Sequence, residues 1–244
     1  MRISFIRAML IGIALVTMTT TAPATQPLRK EQVDLLLCLA ADVSRSVNYE
    51  RFQLQRNGYA AALVDKRVLQ AISSGPLGRI GVVYIEWSGQ VEQKTVVEWA
   101  IIDGFDSGQH FAEQLIEVPR PFTGMTAIGT AIESCLQALY EAPYDAERKT
   151  VDVSGDGANN DGREPADARN DAVREGVVVN GLPILTPLAL SRHPNHTHPP
   201  GGLEEYFRVN VRCGPGSFVV VAEDHQSFAA AIVKKMIAEI AIRW

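Results

Sequence analysis

With 244 residues the chain is long enough for one substantial hydrophobic core and short for two. Hydrophobic residues make up 46% and charged residues 21%, an ordinary globular balance. The formal net charge is −5, and no basic patch with interleaved aromatics occurs, so nucleic acid is excluded as an expected partner.

The N-terminus reads as an export signal over residues 1–24. Arg2 and Arg7 form a positive start, an apolar run follows over residues 8–16, and Ala22-Pro23-Ala24 makes a small-residue cleavage site. The run is too short to span a bilayer, which takes about 20 residues; an uncleaved N-terminal anchor is the alternative. No Cys lies near the cleavage point, so a lipoprotein anchor is not expected. The expected location is therefore periplasmic or secreted, with a short lead over 25–32 and one domain over 33–244.

Residues 33–41 (VDLLLCLAA) are almost unbroken apolar sequence, as a strand buried on both faces requires. Helical spacing follows over 45–72, through Val47, Phe52, Tyr59, Leu63, Val68 and Ile72. Strands are predicted over 80–87 and 93–99, the second antiparallel because the connection is short. A helix includes residues 111–116, a loop covers 119–126, and a second helix runs over 127–140. Alternation then continues: a strand over 149–154, a helix over 165–175, strands over 177–184 and 217–221, and an amphipathic helix over 226–244. Strands alternating with helices predict an α/β fold, a mostly parallel sheet covered on both faces. Leu35, Leu37, Val82, Ile85, Val151, Val153, Val219 and Val221 are its expected buried strand residues.

Three cysteines, Cys38, Cys135 and Cys213, leave at least one thiol free or paired with another chain. Cys38 falls in an apolar strand and Cys135 on the apolar face of a helix, so both read as small buried thiols. Their spacing makes no zinc pattern.

Three short features fall at predicted carboxyl ends of strands or in the adjoining loops, where sites on such sheets are built. They are Asp42-Val43-Ser44-Arg45-Ser46, Gly124-Met125-Thr126 and Ser154-Gly155-Asp156-Gly157. Alone, each has a plain explanation: Asp42, Ser44 or Thr126 as a helix cap, and the last as a turn. Together they supply two carboxylates and three hydroxyls, hard oxygen donors suited to Mg²⁺, with Mn²⁺ and Ca²⁺ as alternatives.

In this order and placement the three features resemble the von Willebrand factor A family and its metal-ion-dependent adhesion site. The resemblance covers about residues 33–243. Asp42, Ser44 and Ser46 match the first motif, Thr126 the threonine loop and Asp156 the last aspartate. The stretches VDLLLCLAADVSRSV, GMTAIGTAIESC, VDVSGDGANNDG, VVVNGLPI and GPGSFV are similar to an exported bacterial group called domain of unknown function 1194. The resemblance implies a three-layer fold with one antiparallel edge strand. It also implies a divalent cation at those five residues, and a non-enzymatic role in which the cation captures an Asp or Glu of a partner protein. In relatives the C-terminal helix shifts on binding. The alternatives are a metal-assisted hydrolase or a structural domain with a vestigial site; no G-x-S-x-G, P-loop or H-E-x-x-H motif occurs. An insert with His193, His196 and His198 departs from the family. It offers Zn²⁺ or Ni²⁺ donors, but its prolines disfavour a helix, and a solvated loop is expected. Cys213 before Gly214-Pro215-Gly216 is a second departure.

Overall fold

The computed structural model describes residues 30–241. The export-signal reading lies outside the described residues, as do residues 242–244 of the last predicted helix. Among the described residues no helix is long and apolar enough to cross a membrane.

A five-stranded sheet forms the centre, built from β2 (Leu36–Asp42), β3 (Ile80–Trp87), β4 (Gln93–Ile102), β6 (Lys149–Gly155) and β7 (Val178–Pro183). Its order is β4-β3-β2-β6-β7, parallel except for the β3–β4 pair. Two short strands, β1 (Glu31–Gln32) and β5 (Tyr144–Asp145), pair separately in parallel.

Alternation along the central strand explains the layers. Leu36, Cys38 and Ala40 enter one core with α4 (Ile128–Glu141), α5 (Pro165–Arg174) and α7 (Leu203–Asn210). Leu35, Leu37, Leu39 and Ala41 enter the other core. Its helices are α1 (Tyr49–Leu63), α2 (Lys66–Ser73), α3 (Phe105–Glu117) and α8 (Phe228–Ala241). Successive strand side chains point to opposite faces, so an unbroken apolar run serves both. Gly58 lets α1 and α8 close up: a Cβ there would lie 2.6 Å from the Phe228 ring.

Four expectations are corrected. Residues 45–72 do not make one helix; α1 ends at Leu63, and Asp65 starts α2 by accepting the Arg67 N–H at 2.8 Å. Residues 217–221 form no strand, and Val219 and Val221 are only half-buried. The segment does follow β7: Phe218 O receives Gly181 N, and Gly181 O receives Val220 N. The next donor in the ladder would be Pro183, which has no N–H, so only isolated bridges form. Cys38 and Cys135 are not thiols but a disulfide that ties β2 to α4, with Cα atoms 5.8 Å apart. Cys213 is the free, buried thiol. Lastly, the prolines of the histidine insert do not exclude a helical turn, although His193, Pro194, Asn195 and His198 are exposed as in a solvated loop. Residues Pro194–Thr197 form α6, with proline at its first turn, where the missing N–H has no helical acceptor to lose.

Candidate metal centre

Asp42 is the last residue of β2, and Asp156 follows β6, its neighbour in the sheet, by one residue. Parallel pairing thus brings both carboxylates to the same edge, where each is fully buried. Asp42 Oδ1 accepts the Ser44 N–H at 2.7 Å. Ser44 Oγ lies 3.1 Å from Ser46 Oγ, and Ser46 Oγ donates to Asp156 Oδ1 at 2.5 Å. Four of the five expected residues are therefore linked by hydrogen bonds.

Thr126 stands on the adjoining loop, also buried, and its hydroxyl has His196 Nε2 at 3.4 Å. The loop is fixed from both sides. Gly124 O accepts from Arg45 N at 3.0 Å, and Gly124 N donates to Ser88 Oγ at 3.0 Å. Ser88 Oγ in turn donates to Glu92 Oε2 at 2.6 Å.

The capping explanations for these side chains do not hold. Asn48 caps α1, accepting Arg51 N at 2.9 Å, so neither Asp42 nor Ser44 has that task. At α4 the N–H of Ile128 is taken by Asn159 Oδ1 at 2.7 Å and that of Thr126 by Asn160 Oδ1 at 2.8 Å. The Asp156 loop caps α4 and leaves the Thr126 hydroxyl unspent.

Electrostatics make the pair uncomfortable without a cation. Burial, and then the charge of Asp156, push the Asp42 carboxyl up to about 7. Burial also raises Asp156, against the opposing effects of the Ser46 hydroxyl and Arg51. Asp42 Oδ2 and Asp156 Oδ2 are buried and accept no hydrogen bond. Buried polar atoms are almost always paired, so two orphaned carboxylate oxygens at one edge call for a missing partner. With three hydroxyls beside them, the donor set fits a hard divalent cation. Among the described residues no group of three or more His, Cys, Asp and Glu side chains is placed to hold a metal, the insert histidines included.

Several residues here escape sequence reasoning because they arrive from distant elements. Arg51 Nη1 lies 3.7 Å from Asp156 Oδ2. Arg120 Nη2 donates to Val43 O at 2.5 Å and Ser44 O at 2.9 Å, holding the first loop. His225 is buried with Nε2 4.0 Å from Asp156 Oδ2, and burial followed by Arg51 pushes its imidazole down to about 3. Gln55 Nε2 donates to Asp42 O at 3.2 Å. His196 folds over Gly157 so closely that a Cβ there would meet Nε2 at 1.9 Å. Arg51 alone left a signal, standing five residues after Ser46 at the start of a helix.

Solved structures share this architecture. SpaC, a pilus adhesin from Lactobacillus rhamnosus GG in an open conformation, matches with a TM-score of 0.61 and 15% identity over 87% of this chain and 31% of its own. Proximal thread matrix protein 1 from the mussel byssus gives 0.59 and 16% over 86% and 47%. A von Willebrand factor type A protein from Catenulispora acidiphila gives 0.57 and 15% over 86% and 43%. The mussel protein is also known with a zinc-occupied MIDAS motif, matching at 0.57 and 16% over 85% and 46%. The chain spans less than half the length of each. The fold is that of a von Willebrand factor A domain. Within that class, residues 32–244 match the family described as protein of unknown function (DUF1194), and the chain belongs to it. No curated protein matches the chain.

Proposed function

We propose that the chain is an exported protein-binding module of the adhesion type, in which Asp42, Ser44, Ser46, Thr126 and Asp156 hold a divalent cation. Mg²⁺ suits the donor set best, with Mn²⁺ and Ca²⁺ as alternatives. The cation supplies a point of attachment for an Asp or Glu carboxylate from a partner protein. The observation that carries the reading is the pair of buried carboxylate oxygens without hydrogen bonds, Asp42 Oδ2 and Asp156 Oδ2, set beside hydroxyls at one sheet edge.

The surroundings support an acidic partner. A cavity of about 610 Å³ opens beside Ser46 and includes Arg45, Arg51 and Arg192 in its walls, against Glu50 and Asp224. Three guanidinium groups favour carboxylates, which they bind through charge-assisted hydrogen bonds. Binding rather than catalysis follows from how the groups are used. Both carboxylates are committed to the cation, and Ser46 donates to Asp156 rather than to an imidazole that would activate it.

The test is capture of proteins from the exported fraction by the immobilised chain, with Mg²⁺ or with chelator, using wild type and Asp42→Ala. Metal-dependent capture lost in the variant is expected. Capture that ignores both chelator and the substitution, or turnover of ester or phosphate substrates, would overturn the reading.

A further inference from the structure

Beneath α8 lies a second charged cluster that the metal centre does not use. Lys235, on α8, is fully buried; its Nζ stands 2.6 Å from Asp152 Oδ1 on β6 and 2.6 Å from Glu239 Oε1 one turn along α8. Glu239 Oε1 also accepts from Asn180 Nδ2 at 3.0 Å, and Asn180 Oδ1 accepts from Phe218 N at 2.9 Å. Asp152 is 0% and Glu239 2% exposed.

One ammonium against two carboxylates would leave an excess negative charge away from water. A low-dielectric interior disfavours the charged forms of carboxyls placed there. Burial accordingly raises both carboxyls, Glu239 to about 7. Lys235 bridges the two carboxyls: its Nζ donates to Glu239 Oε1 and stands at contact distance from Asp152 Oδ1. At 2.6 Å from Oδ1, and shut away from water, Nζ is held against the Asp152 carboxyl group.

We propose that Lys235 and Asp152 condense into an intramolecular amide, an isopeptide bond joining α8 to β6, with Glu239 as the proton carrier. The Nζ lone pair of the neutral amine attacks Asp152 Cγ, and the C–N bond forms. A proton passes from Nζ to Glu239 Oε1 and from Glu239 to the departing hydroxyl. The Cγ–OH bond breaks, one water leaves, and Glu239 returns to its starting state. Asn180 is a positioning residue that holds Oε1 toward Nζ. Exclusion of bulk water from the fully buried site favours condensation and protects the product from hydrolysis.

Mass spectrometry of the reduced, denatured wild-type protein decides the matter, measured against its observed N-terminus. The expected mass is one water below that of the sequence. Tryptic digestion is expected to yield a branched species joining residues 150–163 to 235–243. Lys235→Arg should restore the full mass, and Glu239→Gln should leave most of the chain unlinked. A wild-type chain of full mass with separate peptides would overturn the proposal, as would loss of ammonia with attachment at Asn180. The wild-type result stands even where a variant fails to fold.

Discussion

Replacing Asp42 with asparagine separates the cost of the metal centre from its use. The Asp42 carboxyl rises from 3.8 to about 7, through burial first and Asp156 second. A carboxyl whose folded pKa exceeds its unfolded value loses stability on ionising. The penalty is absent below about pH 4, grows between about pH 4 and 7, and is complete above. A rise of this size corresponds to roughly 4 kcal/mol. Asparagine keeps Oδ1 as acceptor for the Ser44 N–H, bonded at 2.7 Å, but carries no charge. In chelator near pH 8, urea unfolding should therefore show Asp42→Asn more stable than wild type by about 2–4 kcal/mol, and the two should converge near pH 4. Glu239 titrates over the same range in both proteins, so the difference between them reports the Asp42–Asp156 pair. Metal should narrow or close that gap. A cation at a hundred times its Kd stabilises wild type by about 2.7 kcal/mol, and the variant should gain little. A variant less stable than wild type in chelator, or a wild type indifferent to Mg²⁺, Mn²⁺ and Ca²⁺, would refute the reasoning.

Three further outcomes are expected. Cys38→Ala with Cys135→Ala opens a link between residues 97 apart and should cost about 2–5 kcal/mol in urea unfolding; an unchanged midpoint would contradict it. Thr126→Ala should weaken Mg²⁺ or Mn²⁺ binding by at least about tenfold in calorimetry, with metal-free stability within about 1 kcal/mol of wild type. Arg56→Met leaves Glu86, fully buried and paired at 2.7 and 2.9 Å, without its counter-charge, and should cost about 3–5 kcal/mol by the same unfolding assay.

What could be read in advance followed from local chemistry. Strands β2 and β3 are visible because a strand buried on both faces must be apolar almost throughout, as residues 33–41 and 80–87 are. Asp42 and Asp156 are visible because each interrupts such a run at its carboxyl end. Features that depend on a distant partner were not. The disulfide needs α4 laid over β2, and apolar surroundings describe a thiol and a disulfide alike. The failed strand at 217–221 was decided by Pro183 on another segment, although Pro183 itself was in plain sight. His196 comes over Gly157 on a turn that starts at Pro194, because proline opposes a helix interior but suits a first turn. Arg51 and His225 approach Asp156, and Arg120 the loop after Asp42, from three separate segments, and no spacing in one of them announces the others.

The two polar centres are physically continuous, and this bears on how binding at the sheet edge would be felt elsewhere. Asp152, held by Lys235 of α8, lies two residues before Ser154 on β6. Ser154 Oγ receives Tyr59 Oη at 3.0 Å and Gln55 Nε2 at 3.4 Å, and the same Gln55 nitrogen reaches Asp42 O at 3.2 Å. A connected path thus runs from α8 through β6 and α1 to Asp42, the first residue of the candidate metal centre. The resemblance to von Willebrand factor A domains implies a C-terminal helix that shifts when ligand binds. Here such a shift would pull Lys235 away from two carboxyls in a fully buried setting. Separating one partner of a buried pair costs about 3–5 kcal/mol, whereas coupling between sites is typically about 1–3 kcal/mol. Even without the amide, then, the energetics oppose sliding of α8, and with it the helix is covalently held. The elements around the carboxylates free of such a buried ion pair are the loop carrying Thr126, held by hydrogen bonds at Gly124, Thr126 and Ala127, and the α6 segment resting on it through His196. Any rearrangement on binding would fall there, at the edge proposed for the partner.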